Sequence, residues 1–550
     1  MTGLSTAGVP AGPPGTPVPS ADIPQLLLHL RAAPPASVAI LEGRPSAVER
    51  TLRGVTRYTP RTRILRARTT EEALSLAGSD DAVLVHPGAD VGPMWLPRLR
   101  RLAYSHGVRA GVAAPGFRYL RRDAVRGSDV DIGSHVHLDL DLGPTGALPR
   151  RLYVLHRAGG GTPATNKDLM AELADVQESF LLECDGRSLQ LFRWDGGLHP
   201  VRGWQAERRF RITDGWRQDY AVTVAQMLLD HQIELIHVRH LITHPLTTLP
   251  TVARLLGVPL ILSTHDYYYV CPSVHLLDER DRFCGGKCTP DDGSCRLPTA
   301  FVRETPSLKH GWVHEWQRRS AEVIRSATVV VATTATAAQP YRTAFGAELE
   351  AKLRIIEHGR ELGTHWAPLR RAAGGDRTRR PGPLRVLAPA NWDPHKGSGY
   401  LRELATRIGP DVEWHVLGQR SDELADVVTS HGEYRREELR SICERIEPDV
   451  VGLFSIWAET YSHTLTEAWA LGLPVVATDI GAVAERVRRH GGGLLLPLED
   501  LESAAATITA LARDPARVAG LTAQVPRDQV RDAGTMAADY ARLYREVSEG

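Results

Sequence analysis

The feature that most constrains this chain is an alternation. Short apolar runs rich in Val, Ile and Leu are separated by helix-length amphipathic segments almost from end to end. Such runs between helical patterns are the signature of parallel strands joined by crossover helices, so the fold class is α/β. In the C-terminal half the predicted strands are Leu384 to Leu387, Val412 to Leu417, Val450 to Phe454, Pro474 to Thr478 and Gly493 to Leu496. The middle third repeats the arrangement with Arg151 to Leu155, Ser179 to Glu183, Glu234 to Val238, Pro259 to Ser263 and Thr328 to Ala332. Each set makes one doubly wound, Rossmann-like lobe, and two such lobes enclose a cleft.

A chain of 550 residues is too long for one core, and the pattern divides it further. Residues 149–366 form the first lobe and 384–530 the second. Between them, 367–383 (APLRRAAGGDRTRRPGP) has a Gly, Pro and Arg content that buries nothing and reads as a linker. Residues 531–550 hold a last helical pattern, Ala533 to Val547. Ahead of the lobes, 36–148 reads as a small additional α/β domain centred on Ser37 to Pro115, with strands at Val38 to Leu41 and Ala82 to Val85. Residues 1–35 read as a disordered tail, because Met1 to Ser20 is rich in Pro, Gly, Ala and Thr and lacks the cationic start and apolar core of a secretory signal.

Charge and cysteine content exclude some classes. Lys and Arg number 66 against 65 Asp and Glu, a net charge of +1, and no basic stripe interleaved with aromatics suggests a nucleic-acid groove. No stretch of about 18 apolar residues is long enough to span a bilayer, which leaves peripheral membrane contact at most. Six cysteines, four of them between Cys271 and Cys295, do not make a disulfide framework for so large a chain, so reduced thiols and a cytoplasmic location are expected.

The chemistry concentrates in Asp449 to Glu485, which reads strand, loop, helix, strand, loop, helix. A helix starting near Ser462 would aim its free backbone N–H groups at the carboxyl end of the preceding strand, where open α/β sheets bind phosphates. Glu459 precedes that helix and Glu467 lies in its second turn, and a carboxylate accepts hydrogen bonds from a vicinal diol. On spacing alone the two glutamates read equally well as solvated helix acids. Lys396, in His395-Lys396-Gly397 after the first strand of the same lobe, adds the ammonium that a diphosphate leaving group needs. In the first lobe, Gly159, Gly160, Gly161 and Thr162 open a helix after the first strand, and His240 and His265 follow later strands at cleft-facing ends.

Glu459-Thr-Tyr-Ser-His-Thr-Leu-Thr-Glu467, followed by Gly472-Leu-Pro-Val-Val-Ala-Thr478 and Gly481, resembles the retaining GT-B glycosyltransferases that carry a Glu-x7-Glu motif, the family 4-like group. The resemblance runs from about Arg151 to the C-terminus. It implies that a nucleoside-diphosphate sugar donor binds the second lobe: Glu467 at the ribose, Glu459 at the sugar, and Lys396 with the helix start Tyr461, Ser462, His463, Thr464 and Leu465 at the diphosphate. By the same resemblance the catalytic set is Glu459, Lys396 and His265, with His240 and the glycine loop toward donor phosphates or acceptor. No catalytic metal is implied, the acceptor is open, and the last helix, with Tyr540 and Tyr544, crosses back to the first lobe. Relatives commonly place arginine five residues before the lysine, where this chain has Asn391. A GT-B-shaped epimerase, or a non-catalytic nucleotide-binding partner of another transferase, are the alternative readings.

Two segments stand apart. Cys271, Cys284, Cys288 and Cys295 lie in a loop rich in Gly, Asp and Pro, where four thiolates can satisfy a structural zinc ion, while reduced, partly buried cysteines are the other reading. Leu52 to Pro60, Asp81 to Asp90 and Trp95 to Leu99 resemble a shortened GT-A-type domain; with Asp90 as the sole acid where such domains carry a pair, a non-catalytic relic is expected.

Overall fold

The computed structural model describes residues 22–32, 36–59, 62–89, 91–92, 94–103, 111–114, 116–121, 136–137, 148–157, 161–288, 295, 311–361, 363, 366–369 and 382–549. Three sheets follow one another along the chain. The first contains β1 (Ala36–Leu41), β2 (Arg63–Ala67), β3 (Asp81–Val85), β4 (Gly111–Ala114), β5 (Phe117–Leu120) and β6 (Val136–His137) in the order β2-β1-β3-β5-β4-β6. Its β2, β1 and β3 run parallel and β5 pairs antiparallel to β3.

The second sheet, the core of the first lobe, contains β7 (Arg150–His156), β8 (Glu178–Cys184), β9 (Ser188–Trp194), β10 (Leu198–Gln205), β11 (Leu235–Val238), β12 (Leu260–Thr264), β13 (Val329–Ala332) and β14 (Leu353–Ile355). Its order is β10-β9-β8-β7-β11-β12-β13-β14. The third contains β15 (Leu384–Pro389), β16 (Val412–Leu417), β17 (Thr429–Ser430), β18 (Val450–Leu453), β19 (Val475–Thr478) and β20 (Gly493–Leu496), all parallel, in the order β17-β16-β15-β18-β19-β20. Every strand expected in the two lobes is present, with ends shifted by at most two residues. The β9–β10 hairpin was not expected, although Asp195-Gly196-Gly197 at its tip is a hairpin turn with Gly196 at φ 63.

Both lobes are buried on two faces because crossover helices cover them. Helix Ser398–Ile408 shows how: Tyr400, Leu401, Leu404, Ala405 and Ile408 recur at helical spacing and all are buried against the third sheet. The last helix, Ala533–Glu549, leaves the second lobe and packs Met536, Tyr540 and Tyr544 into a core cluster of the first, as the resemblance implied. Tyr544 Oη hydrogen-bonds His237 Nδ1 at 2.6 Å, and Arg239 donates to Tyr540 Oη at 3.3 Å.

Two sequence expectations need correction. Residues 22–32 are not tail but a helix, Asp22–Ala32, whose Ile23, Leu26 and Leu27 form an apolar stripe in the first-lobe core; the Pro- and Gly-rich surroundings masked that spacing. Residues 1–21 and most of the expected linker lie outside the described residues. Where the linker is described it does bury surface: Leu369 joins a second-lobe core cluster, and its N–H donates to the Leu471 carbonyl at 3.2 Å.

Candidate active site

In the third sheet the strand order reverses between β15 and β18, which opens a crevice at their carboxyl ends. The turn after β15 carries Lys396 and the loop after β18 carries Glu459. Gly397, at φ 80, makes their approach feasible, since a Cβ there would run into the Phe454 carbonyl. Lys396 Nζ donates to Glu459 Oε1 at 2.7 Å, and Ser455 Oγ donates to the same oxygen. Burial acts to raise the Glu459 carboxyl, but the Lys396 ammonium and hydrogen bonds from Lys396, Ser455 and Ser462 hold it below the ordinary range. Gly481, at φ 65, seats the next helix directly against Ala458, and Ala482 N donates to the Glu459 carbonyl at 2.8 Å. The carboxylate is thus fixed from both ends of its loop.

Helix His463–Ala470 begins beside this pair. Ser462, at φ 70, gives it no side-chain cap, and its first turn holds no acid, so no side chain of the helix's own first turn meets its positive end. Buried Arg486 braces the approach by donating to the carbonyls of Tyr461 at 3.1 Å and Ser462 at 3.0 Å. One turn into the helix, Glu467 Oε1 accepts from Arg436 Nε at 2.7 Å. Burial raises the Glu467 carboxyl, against the pull of Arg436 and Arg360. Neither arginine was singled out from sequence. Arg436 sits in Arg435-Arg436-Glu437-Glu438, which reads as a solvated charge run.

Across the cleft the first lobe presents imidazoles. His265 stacks on His358 with ring centroids 5.1 Å apart, and His358 stacks on His463 at 5.4 Å. Burial pushes all three well below the ordinary histidine value, so the ladder is neutral. His265 Nε2, His358 Nδ1 and His463 Nδ1 are buried without a hydrogen-bond partner among the described residues. The lobes meet here directly: Thr460 Oγ1 donates to the His265 carbonyl at 2.7 Å, Tyr461 Oη to the His358 carbonyl at 2.6 Å, and His463 Nε2 lies 3.2 Å from Thr165 Oγ1.

Other expected contacts fall differently. His240 is spent internally: its Nε2 meets Asp266 Oδ2 at 2.9 Å and its Nδ1 accepts from Ile242 N at 2.9 Å, so neither nitrogen is left for an acceptor. Leu465 is core and Tyr461 turns its hydroxyl to His358, so those two offer the cleft only backbone. Thr464 is half-buried in the first helical turn. Asn391 is exposed and donates to Asp393 at 3.1 Å. Gly161 begins a helix and lies against His463, Thr162 beside it is half-buried, and Gly159, Gly160 and Asp90 lie outside the described residues.

Residues 160–363 match the model of Glycosyltransferase Family 4, and residues 384–514 match that of Glycosyl transferases group 1; together the matches cover more than half of the chain. The chain belongs to the family 4-like glycosyltransferases. Its two lobes are those of the GT-B fold. This glycosyltransferase-family chain is 32% identical over 166 residues to a D-inositol 3-phosphate glycosyltransferase of Rhodococcus erythropolis, covering 29% of the chain and 33% of the relative. It is 25% identical over 242 residues to the putative colanic acid biosynthesis glycosyl transferase WcaC of Escherichia coli, covering 43% of the chain and 55% of the relative. The chain therefore spans a third to about half of the curated relatives it matches. Among solved structures, sucrose-phosphate synthase of Thermosynechococcus elongatus superposes with a TM-score of 0.51 at 18% identity over 73% of this chain and 99% of that one, a likeness of fold.

The four cysteines read as zinc ligands, Cys271, Cys284, Cys288 and Cys295, all fall within the described residues. Among the described residues no group of three or more His, Cys, Asp or Glu side chains is placed to hold a metal ion. Burial pushes the Cys271 thiol up to about 12 and the Cys284 thiol in the same direction. None of the six cysteines, all described, is in a disulfide, and no described helix is long and apolar enough to cross a membrane.

Proposed function

We propose that the chain transfers a sugar from a nucleoside-diphosphate donor to an acceptor hydroxyl with retention of anomeric configuration. The observation that carries this is the Lys396–Glu459 pair at the sheet's reversal point, beside an uncapped helix start. The helix N–H groups and Lys396 meet the diphosphate and stabilise the charge that develops as it leaves, which removes the need for a metal at the reaction centre. Glu459 orients the donor sugar, and Glu467 accepts from the ribose hydroxyls. His265, neutral and with an open nitrogen, contacts the sugar from the opposite lobe. Similarity to a transferase named for colanic acid biosynthesis supports a role in glycan assembly, with decoration of a metabolite the other acceptor class. Cysteines outside any disulfide accord with a cytoplasmic setting, and we take the N-terminal domain as a non-catalytic GT-A-like module.

The test is a donor screen. Purified protein is incubated with UDP-, GDP- and dTDP-sugars and candidate acceptors, and the product's anomeric configuration is read by NMR. Transfer with inversion sinks the retaining assignment. Conversion of the donor's sugar without acceptor would point instead to an epimerase.

A further inference from the structure

One cavity lies away from the cleft. It measures about 660 Å³, within the range of small-molecule sites, and is enclosed by helix Pro45–Tyr58 of the N-terminal domain, the start of β7, the turn before β8 and the last helix. The catalytic groups sit at the carboxyl ends of the strands, whereas Arg151 sits at the opposite end of β7. At about 3.3 Å per residue the length of that strand separates the two sites by about 20 Å.

Four arginines line the cavity, Arg53, Arg57, Arg151 and Arg545, and none of its described lining residues is acidic. Arg151 is the decisive one. It is only 5% exposed, its Nη1 donates to Ser548 Oγ at 3.2 Å, and its Nε has no hydrogen-bond partner among the described residues. Its guanidinium lies 5.7 Å from the Tyr544 ring centroid. Burial disfavours its charge. The carboxylate acting on it, Glu234, stands outside the lining, accepts Arg150 N at 3.0 Å, and is itself raised by burial. Arg53 is offset by exposed Glu49 at 3.1 Å. A buried guanidinium with an open donor, joined by two arginines with no carboxylate in the lining, is an arrangement that a dianionic oxygen cluster satisfies. Beside them Leu52 and Val176, the latter 55% exposed, offer an apolar wall.

We propose that this junction binds a phosphomonoester, with the phosphate on Arg151, Arg57 and Arg545 and the remainder of the molecule along the apolar wall. The proposal does not rest on the transferase reading. The test is thermal shift at constant ionic strength with inorganic phosphate, glucose 6-phosphate and dihexanoyl phosphatidic acid, using wild type, an Arg57→Ala/Arg545→Ala double variant and Lys396→Ala. Both rim arginines are exposed, so the double variant folds. Phosphate is expected to raise the melting temperature of wild type and Lys396→Ala alike, and half-saturation should weaken at least tenfold in the double variant. Whichever organic phosphate half-saturates at tenfold lower concentration identifies the source as metabolite or lipid headgroup. No shift in wild type, or a shift kept by the double variant, overturns the proposal. A shift lost in Lys396→Ala also overturns it, since phosphate would then be reporting the catalytic cleft.

Discussion

Arg436 donates from Nε to Glu467 Oε1 at 2.7 Å, so the carboxylate assigned to the donor ribose is shared with a guanidinium. Burial already raises that carboxyl, and Arg436 is the first group opposing the rise. Arg436→Ala should therefore push it higher and leave more of it protonated in mildly acid solution. Donor KM is expected to increase about tenfold, and by a larger factor at pH 6 than at pH 8. An equal increase at both pH values would mean that Arg436 acts by touching the donor itself.

Lys396→Ala removes the ammonium from a carboxylate that is 9% exposed. Loss of one preorganised charge at a leaving group lowers kcat by about a hundred- to thousandfold. The uncompensated Glu459 should cost about 1–3 kcal/mol of stability. Adding Glu459→Gln should restore most of that stability and none of the rate, because an amide needs no cation beside it. Unchanged transfer in Lys396→Ala would remove the lysine from the mechanism.

The two lobes were legible because short continuous apolar runs and helical stripes set sheet and helix without regard to distant partners. Lys396 and Glu459 were legible for a related reason: both follow strand ends, and parallel topology brings the ends of β15 and β18 together. What stayed hidden depends on which side chain a residue meets across the fold. Arg436 and Arg360 look like surface charge until the tertiary structure turns them toward Glu467. His240 looks like a cleft residue until Asp266 takes up its Nε2. Helix Asp22–Ala32 lay next to a Pro-rich segment, and its short apolar stripe acquires meaning only against the first-lobe core.

His240→Phe follows from that contrast. It deletes the partner that, against burial, keeps Asp266 below its usual carboxylate range. Stability should fall by about 1–3 kcal/mol, since Asp266 and Ile242 N lose their bonds. Acceptor KM should stay within about twofold of wild type. A large rise in acceptor KM at unchanged melting temperature would return His240 to the acceptor site.

Metal analysis separates the two readings of the cysteine loop. On the reduced-thiol reading, which the burial of Cys271 accords with, purified protein should carry zinc well below one per chain. Treatment with EDTA should leave the melting temperature unmoved. One tightly held zinc whose removal lowers that temperature would overturn this.

The strongest pH effect should come from the buried histidines. Burial lowers His244 to about 4 and His275 and His395 to about 3, and pushes His265, His358 and His463 well below the ordinary value of about 6.5. Below pH 6.5 the unfolded chain takes up protons on these imidazoles that the folded chain refuses, so stability falls as pH falls, by up to about 1.4 kcal/mol per unit for each group. Glu467 and Glu234, whose carboxyls are raised, work in the opposite direction and offset part of the loss. Because the histidines outnumber them, melting temperature should drop steadily from pH 7 to pH 5. His275 and His395 stack at 3.9 Å across the lobe boundary, so His275→Phe/His395→Phe should flatten that slope while keeping the ring contact. A slope identical to wild type in the double variant would show that this pair does not drive the acid sensitivity.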